Sequence, residues 1–472
     1  MFDGDLIRER ARITPGKLAL VSVETGERLT YADFDARVDR AAAAVRERGI
    51  EAGDRFGILA HNCIEFLELF FAAGRVGAIV VPLSTRATVH ELAGIIADCG
   101  MKVLFDLESG DASRRFAMPD SERRPASPLS RSPEDTYCLL YTSGTTGKPK
   151  GVMIPRRQLW WNGYNTAINW GLREDDVSPI FTPLYHAGGV AAFLIPIFSV
   201  GGTIVLHRGF DASVVWQTIE RERCTVILGV PTIWKLLMDA PEFASVDLSH
   251  VRWVISGGAP LPHYILDAYR QRGVVMKQGY GMTEVGVNCF TMTMEDAYRK
   301  PGSIGKPMMF TEVRLADGDA GEMWIRGPHV SNGYWNNEEA TRAAYGDDGF
   351  FRTGDLARRD EDGFFYVAGR LKEMFITGGV NVYPAEIEAE LVSHPSVSDA
   401  AVIAVSDETW GEVGVAFVVA RGVTESDLAA YLAQRIAKYK VPKQFIFLDV
   451  LPRTPYGKVV KEELRRAIIE SP

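Results

Sequence analysis

Apolar positions along the first hundred residues alternate between two spacings. Short runs of consecutive apolar residues are typical of buried strands, and apolar residues three or four apart are typical of helices. The two patterns follow each other with short turns between them, which favours a parallel sheet flanked by helices. The predicted strands span 17–23, 26–31, 56–59, 78–82 and 103–107, and the predicted helices span 5–13, 31–48, 62–76 and 91–98.

The same alternation continues after a polar connector at 109–135, and it predicts a second, similar sheet. The uncharged stretch from Gly188 to Leu206 could mimic a membrane span. Pro196 and Gly201-Gly202 predict instead a short helix, a turn and the strand 203–206. The other strands are predicted at 137–140, 152–154, 226–229 and 253–256, and the other helices at 157–171, 212–222 and 232–240.

The pattern changes after Gly302, where short strands alternate with turns rich in Asp and Gly. This pattern predicts a small β-barrel-like subdomain. A distinct last segment follows 369–373, and its apolar residues show the spacing of helices in some parts and of strands in others. We therefore divide this α/β chain into a large N-terminal domain, 1–370, and a small α+β C-terminal domain, 371–472. In the second domain, helices are predicted at 385–393 and 425–437 and strands at 397–404 and 414–419.

Composition and charge narrow the class of protein. With 46% hydrophobic and 24% charged residues, the chain of 472 residues matches ordinary globular proteins. The net charge of −9 and the lack of a basic run argue against nucleic acid as a partner. The five scattered cysteines have no metal-site spacing and predict reduced thiols and a cytoplasmic location. The N-terminus lacks the apolar core of a secretory signal.

A loop rich in glycine, hydroxyl residues and lysine spans 142–151, between two predicted strands. Glycine lets backbone N–H groups face an anion, while hydroxyls add donors and lysines add charge, so the loop suits a phosphate. A flexible hairpin tip would have a similar composition. The common P-loop pattern does not fit, because Pro149 follows Lys148. The sequence of the loop closely resembles that of the phosphate loop of the adenylate-forming (ANL) superfamily. This superfamily includes acyl-CoA synthetases, aryl-CoA ligases, luciferases and peptide-synthetase adenylation domains.

Further motifs match this superfamily in its own order. Tyr280 in Gln278-Gly279-Tyr280-Gly281-Met282-Thr283-Glu284 offers a face for a purine, and Glu284 offers a hard oxygen for Mg²⁺. Asp355 can accept two hydrogen bonds from vicinal ribose hydroxyls, with Arg370 as the second ribose contact. The resemblance implies the following contacts to ATP or AMP: Thr142, Ser143, Gly144, Thr145, Thr146, Gly147, Lys150, Gly257, Gly258, Ala259, Pro260, Gln278, Gly279, Tyr280, Gly281, Met282, Thr283, Asp355 and Arg370. Taken singly, a Gly-Asp turn or a surface arginine is often only structural.

The resemblance also implies catalytic and acid-binding residues. Lys458 would reach the α-phosphate and the carboxylate during adenylation, although a tail lysine is ordinarily only solvated. His186 would lie near the substrate carboxylate, where positioning is favoured over proton transfer because a carboxylate needs no base. The implied catalytic residues are Lys458, His186, Glu284 and Thr283, and the metal ligands are Glu284 and Thr146. The implied acid pocket comprises His186, Gly188, Val190, Trp234, Gly281, Val285 and Val287.

The C-terminal domain resembles the mobile domain of the superfamily. Lys372 matches the hinge position, and Gly378 and Gly379 match a loop that lines the thiol tunnel after the domain rotates. Asn381 departs from the Arg or Gln often found at its position, which weakens its assignment as a CoA contact.

The resemblance implies a two-step ligase with ATP, Mg²⁺ and CoA. A carboxylic acid would first form acyl-AMP with release of pyrophosphate, and CoA would then displace AMP. The neutral pocket favours a medium-chain or aryl monocarboxylate. The alternatives are an enzyme that loads a carrier protein, a 2-succinylbenzoate–CoA ligase, a luciferase-type monooxygenase and a non-catalytic nucleotide-binding protein. No transmembrane segment is expected. The sequence leaves the oligomeric state open, a homodimer included.

Overall fold

The structure is a computed structural model that describes residues 5–108, 132–142, 149–453 and 459–469. Its first part alternates helices and strands as the apolar spacing predicts. Thr30 caps the second helix with a capping box, since its hydroxyl accepts the Asp33 N–H and the Asp33 carboxylate accepts the Thr30 N–H. The elements are α1 Leu6–Ile13, β1 Leu18–Ser22, β2 Arg28–Thr30, α2 Tyr31–Glu47, β3 Arg55–Leu59, α3 Ile64–Val76, β4 Ile79–Leu83, α4 Val89–Cys99 and β5 Val103–Asp106.

The next part carries the glycine-rich loop and the uncharged stretch. That stretch folds as helix, turn at Gly201-Gly202 and strand, as predicted, but the helical part is divided into two short helices by a π-helical turn at Val190–Leu194, which was not predicted. Among the described residues, no helix is long and apolar enough to cross a membrane. The elements are β6 Thr136–Thr142, β7 Lys150–Pro155, α5 Arg156–Trp170, β8 Val177–Ile180, α6 Ala187–Gly189, α7 Ile195–Val200 and β9 Thr203–Leu206.

Three sheets of the large domain contain parallel strands, and their strand order differs from the order along the chain. The elements α8 Ala212–Arg221, β10 Val226–Gly229, α9 Pro231–Asp239, β11 Trp253–Ser256, α10 His263–Gln271 and β12 Met276–Gln278 complete them. Among the described strands, the sheet orders are β5-β3-β4-β6-β7, β2-β1-β9-β8 and β10-β11-β12. The hairpin β1–β2 therefore belongs with β8 and β9, and not with the sheet that follows it directly along the chain.

The helices α2, α3 and α7 form the centre of the core. Phe34 on α2, Phe71 on α3 and Phe198 on α7 contact one another with ring centroids 5.8 to 5.9 Å apart. All three rings are buried. This packing holds α7, and with it the segment that precedes α7, against the rest of the large domain.

The predicted β subdomain is an antiparallel meander of the order β15-β16-β17-β18. Its last two strands pair so that Asp355 stands opposite Arg370. The elements of this part are β13 Phe290–Thr291, α11 Met294–Arg299, β14 Lys306–Pro307, β15 Glu312–Asp317, β16 Ala320–Arg326, α12 Glu338–Ala344, β17 Phe351–Arg359 and β18 Phe365–Arg370.

The last part forms an α+β unit with its own apolar core. Its sheet runs β20-β19-β22-β21, and the strand β23 pairs with β22. The apolar spacing did not predict β19, β20, β23 or α15, which are short or largely polar. The elements are β19 Phe375–Thr377, β20 Val380–Val382, α13 Pro384–Val392, β21 Val397–Asp407, β22 Gly411–Ala420, α14 Glu425–Ala433, β23 Gln444–Phe447 and α15 Lys461–Ile469.

Candidate active site

Two glycine-containing segments lie side by side at one edge of the sheet β10-β11-β12. The strands are parallel, so their carboxyl ends meet at this edge, where open sheets commonly bind ligands. The Gly279 N–H donates to the carbonyl of Ser256 at 2.8 Å, and the Gly257 N–H donates to the carbonyl of Gly229 at 3.1 Å. The side-chain oxygen of Gln278 accepts the Leu261 N–H at 3.3 Å. The predicted segments 257–260 and 278–281 are thus brought together.

The segment from Gly257 to Pro260 presents bare backbone to solvent. Gly258 has a φ of +81°, a conformation that glycine adopts readily. A side chain built on Gly257 would meet only the Gly279 carbonyl, at 3.8 Å, among the described residues. Gly258, Ala259 and Pro260 are exposed. The surface is therefore open to a flat ligand such as a nucleotide base.

Tyr280, Asp355 and Arg370 form a second group beside this edge. The Tyr280 hydroxyl donates to Asp355 Oδ2 at 2.6 Å, and Arg370 Nε lies 3.3 Å from Asp355 Oδ1. Burial raises the pKa of Tyr280, and the Asp355 carboxylate raises it further, so the hydroxyl stays a donor. The Asp355 side chain is buried, and the Asp355 N–H donates to Thr353 Oγ1 at 3.1 Å. A fixed carboxylate of this kind can accept hydrogen bonds from a diol.

Glu284 lies at the end of a chain of contacts that begins at the glycine-rich loop. Thr142 and Lys150 pair at the two ends of that loop. Lys150 Nζ lies 5.2 Å from the centroid of the Tyr334 ring, and the Tyr334 hydroxyl donates to Glu284 Oε1 at 3.1 Å. Burial and the Glu284 carboxylate both raise the pKa of Tyr334. Glu284 is 6% exposed, and Thr283 before it is also buried.

The donor set around Glu284 fits Mg²⁺. Within the described ranges, no group of three or more His, Cys, Asp or Glu side chains could hold a metal ion by itself. Mg²⁺ is usually held by one or two carboxylates, and it takes its other oxygens from water and from substrate phosphates. One buried carboxylate, connected through Tyr334 to Lys150, meets that requirement. The second predicted ligand, Thr146, lies outside the described residues.

His186 caps the short helix α6 at the start of the uncharged stretch. Its Nδ1 accepts the Gly188 N–H at 3.1 Å, which places the proton of a neutral ring on Nε2. A side chain on Gly189 would lie 2.2 Å from the Pro183 carbonyl oxygen, so this turn tolerates only glycine. The π-helical turn that follows brings Val190 fully into the interior. Such turns often occur at functional sites.

An apolar cavity of about 10 Å³, here called the inner cavity, lies between the strands β6 and β7, the helix α5 and this segment. It contains two of the predicted acid-pocket residues, Val190 and Val287, together with Thr283. Its lining is Phe70, Cys138, Leu140, Ile154, Gln158, Leu159, Asn162, Ala187, Val190, Ala191, Thr283, Gly286 and Val287.

Val285, Trp234 and Gly281, which were also predicted for the acid pocket, do not line the inner cavity. Val285 is buried in the core beneath the meander, and Trp234 is buried in the core of the second and third sheets. A side chain on Gly281 would lie 2.3 Å from the Val287 backbone, so close packing requires glycine there.

The predicted CoA and hinge residues lie at the start of the C-terminal unit. Lys372 is exposed in a short helical turn between β18 and β19. Gly378 and Gly379 form the two-residue turn of the hairpin β19–β20, both with positive φ, and Asn381 is exposed on β20. The other predicted site residues lie outside the described residues: Ser143, Gly144, Thr145, Thr146, Gly147 and Lys458.

Three residues at the site were not predicted from the sequence. Tyr334 holds Glu284, and Gln158 and Asn162 line the inner cavity. Tyr334 lies in the segment Ser331-Asn332-Gly333-Tyr334-Trp335, where a pair of aromatic residues inside a polar turn was the available signal. Gln158 and Asn162 stand four apart on a predicted helix, which places them on one face.

Comparison with known proteins shows the family to which the chain belongs. Residues 7–335 match the family of AMP-binding enzymes, and residues 386–458 match the C-terminal domain of AMP-binding enzymes. The chain is 41% identical to a feruloyl-CoA synthase of Amycolatopsis, with 97% of each chain covered. It is 37% identical to a long-chain-fatty-acid–CoA ligase of Mycobacterium tuberculosis, with 98% of this chain and 97% of the ligase covered.

A solved structure of similar fold is the o-succinylbenzoate CoA synthetase of Bacillus subtilis in complex with its acyl-adenylate. It is 32% identical, with 98% of each chain covered and a TM-score of 0.88. The same synthetase has also been solved with ATP and a magnesium ion.

These matches define an enzyme class built from an adenylate-forming domain and a smaller C-terminal domain. The chain belongs to the family of AMP-binding enzymes. The predictions of the superfamily, of the fold class and of an AMP-forming acid–CoA ligase are confirmed.

Proposed function

We propose that the chain joins a monocarboxylic acid with an aryl or medium-length apolar body to CoA at the expense of ATP. The observation that carries this choice is the inner cavity, whose described lining contains no charged side chain. The cavity adjoins Thr283, one residue before Glu284. The inner cavity has a volume of about 10 Å³, so its apolar walls would have to move apart to admit an acid body, whose carboxylate would then lie near Thr283 and Glu284. A second carboxylate would enter this cavity without a cation to neutralise it.

The roles of the site residues follow from their chemistry. The acid carboxylate attacks the α-phosphorus of ATP, the bond to the β-phosphate oxygen breaks, and pyrophosphate leaves. Glu284 would bind Mg²⁺, which neutralises charge on the phosphates, and Lys150 and the loop after Thr142 would bind the leaving phosphates. Asp355 and Arg370 would hold the ribose, and Tyr280 would lie against the adenine. In the second step the CoA sulfur attacks the acyl carbon and AMP leaves.

The names of the relatives support an aryl or aliphatic monocarboxylate, but one of them introduces a dicarboxylate as an alternative substrate. The feruloyl-CoA synthase and the fatty-acid ligase have names consistent with an aryl or aliphatic acid. A 2-succinylbenzoate–CoA ligase, 34% identical, keeps a dicarboxylate in contention. The lack of a charged side chain in the described lining of the inner cavity argues against a dicarboxylate substrate. Three further candidates are an enzyme with a carrier protein as the acceptor, a luciferase-type monooxygenase and a non-catalytic nucleotide-binding protein.

The experiment is ATP–pyrophosphate exchange with matched acids. The panel contains cinnamic acids, C6–C12 fatty acids, indoleacetate and 2-succinylbenzoate, and AMP release is then followed with and without CoA. We expect exchange with aryl or medium-chain acids, and AMP turnover only when CoA is present. Exchange that CoA cannot convert to turnover would point to a carrier protein. Turnover that prefers 2-succinylbenzoate would contradict the monocarboxylate assignment.

We also propose a reducing, cytoplasmic setting and a homodimer. All five cysteines are free in the described chain, and Cys138, Cys224 and Cys289 are buried with raised thiol pKa values, which suits reduced core residues. Sedimentation of the purified protein tests the homodimer directly.

A further inference from the structure

Two amide side chains on α5 line the inner cavity. Gln158 and Asn162 stand one helical turn apart, so they lie on the same face of the helix. Their exposed fractions are 3% and 1%. The other walls of the cavity are mainly apolar, and Thr283 is the one hydroxyl residue of the described lining. Polar groups that are buried in such a place require hydrogen-bond partners.

The contacts of the amide nitrogens fix the orientation of both groups. Gln158 Nε2 donates to the Thr283 carbonyl at 2.8 Å, and Asn162 Nδ2 donates to the Ala191 carbonyl at 2.7 Å. Flipping either amide would bring an oxygen against a carbonyl oxygen, which is repulsive. The assignment of nitrogen and oxygen is therefore determined by the network.

The two amide oxygens are buried and have no hydrogen-bond partner among the described residues. Asn162 Oδ1 lies 3.2 Å from the position that a Cβ would take on Gly286, another residue of the lining. The cavity has a volume of about 10 Å³, which is the space of about one water. A water brings one proton for each of the two oxygens, and its own oxygen can accept a hydrogen bond from a hydroxyl such as that of Thr283. Size and chemistry therefore both fit a single water.

The same amides hold the chain next to Glu284, the residue proposed to bind Mg²⁺. Gln158 fixes the carbonyl that precedes Glu284, and the Ser331 N–H fixes the carbonyl of Glu284 itself at 2.7 Å. The Tyr334 hydroxyl donates to the Glu284 carboxylate. The backbone is thus held on both sides of the Glu284 Cα. Because the backbone sets the direction of the side chain, α5 contributes to the place of the carboxylate.

We propose that Gln158 and Asn162 bind one buried water in the inner cavity, and that this polar junction positions Glu284 for Mg²⁺. The junction joins α5, the π-helical turn that contains Ala191, and the segment 283–286. This inference rests on the proposed function, since it takes Glu284 as a ligand of the metal. Loss of a group that holds a metal ligand commonly lowers metal affinity by about tenfold to a hundredfold. An acid body that moves the apolar walls apart would lie against this water, so the two proposals are compatible.

The first test is a crystal structure of the unchanged protein at a resolution that shows ordered water elsewhere in the core. We expect one water about 2.6–3.0 Å from both Gln158 Oε1 and Asn162 Oδ1. The same water should be lost from crystals of Asn162→Leu, because leucine offers no acceptor. An inner cavity without a water, or protein groups that donate directly to the two oxygens, would overturn the proposal.

The second test measures binding instead of turnover. Mn²⁺ replaces Mg²⁺, because its paramagnetic resonance spectrum reports the bound ion, and ATP is supplied without an acid so that no acyl-AMP forms. Gln158→Met removes the donor to the Thr283 carbonyl and the acceptor for the water. We expect the Kd of Mn·ATP to rise about tenfold, while the Kd of AMP, which needs no metal, stays within about twofold. Asn162→Leu should raise the Kd of Mn·ATP in the same way.

Tyr31→Phe is the matched control. Tyr31 is fully buried at the start of α2, and its hydroxyl donates to the Gly202 carbonyl at 2.7 Å. The variant therefore loses a buried side-chain donor to a backbone carbonyl, as Gln158→Met does. Tyr31 does not line the inner cavity. Its loss should lower stability and leave both dissociation constants unchanged.

The outcomes separate the inference from the function beneath it. An unchanged protein that does not bind Mn·ATP would contradict the proposed function. Equal rises in the Kd of Mn·ATP and of AMP in Gln158→Met would indicate a general loosening of the site and would overturn the inference alone. Unchanged constants in that variant would do the same. If the variants fail to fold, the crystal structure of the unchanged protein still decides whether the water is bound.

Discussion

Lys277 is a lysine in the middle of β12, a strand of the sheet β10-β11-β12. It is 5% exposed, and its Nζ lies 4.7 Å from the centroid of the Trp253 ring. Within the described residues it has no carboxylate partner in an ion pair or hydrogen bond. Burial, with a smaller contribution from Arg252, lowers its pKa to about 8. The face of an indole therefore replaces only part of the lost hydration.

We expect Lys277→Met to stabilise the protein by about 1–3 kcal/mol at pH 7, because it removes a desolvated charge and keeps a flexible apolar chain. The folded pKa of about 8 lies below the ordinary value of 10.5. Between those values the unfolded chain binds the extra proton, so wild-type stability rises with pH and the advantage of the variant shrinks. Urea unfolding at pH 7 and pH 9.5 measures both effects.

Lys235→Met is the control for this measurement. Lys235 pairs with Asp239 on the surface of α9, so its loss should change stability by less than about 1 kcal/mol at either pH. A Lys277→Met variant that is less stable than the wild type, or an advantage that does not depend on pH, would contradict the account.

At the scale of elements, local spacing predicted most helices and strands but not their neighbours. The Thr30 cap and the apolar face of α2 are local signals, so the start of α2 was predictable. The pairing of β1 with β9 was not, because parallel strands can pair across any length of chain and leave no mark in either strand. The same limit applies to Tyr334, whose contact with Glu284 depends on the tertiary fold.

Arg75 joins the helices α1, α2 and α3. It lies on α3, and its guanidinium contacts Asp5 at the start of α1 at 2.8 Å, Asp39 on α2 at 2.7 Å, and Asp35 on α2. Its side chain is 2% exposed. Burial by itself would lower the pKa of Arg75, but the three carboxylates around the cation outweigh it, so the pKa is raised and the charge is fixed. The charge pattern along the chain does not reveal this cluster.

We expect Arg75→Met to lower the free energy of unfolding by about 2–4 kcal/mol, because it removes the buried cation of the cluster and leaves Arg8, which is partly exposed, to balance the partly buried carboxylates. Arg12→Met is the matched control, since Arg12 pairs with Glu9 on the surface of α1 and should change stability by less than about 1 kcal/mol. Urea unfolding of both variants at pH 7 makes the comparison. Equal effects of the two substitutions would show that Arg75 does not organise the three helices.

At the scale of the whole molecule, the proposed site residues are divided between two units. Glu284 and Asp355 belong to the large unit, whereas the hairpin of Gly378 and Gly379 belongs to the sheet that begins at Phe375. The segment between the two sheets is short and contains the exposed Lys372. Adenylation needs a cation at the α-phosphate, and thiol attack needs an open path to the acyl carbon. We propose that rotation about this segment presents the two arrangements in turn.

Lys458→Ala tests that division, because the resemblance assigns Lys458 to adenylation alone. In-line displacement at phosphorus builds negative charge on the phosphoryl oxygens, so loss of the cation should slow acid-dependent pyrophosphate exchange by about a hundredfold or more. Thioester formation from supplied acyl-AMP and CoA should stay within about threefold of wild type. Lys438→Ala, at an exposed lysine of the same unit, should change neither rate. Equal loss of both half-reactions would contradict the rotation and would mean that one arrangement of the two units serves both steps.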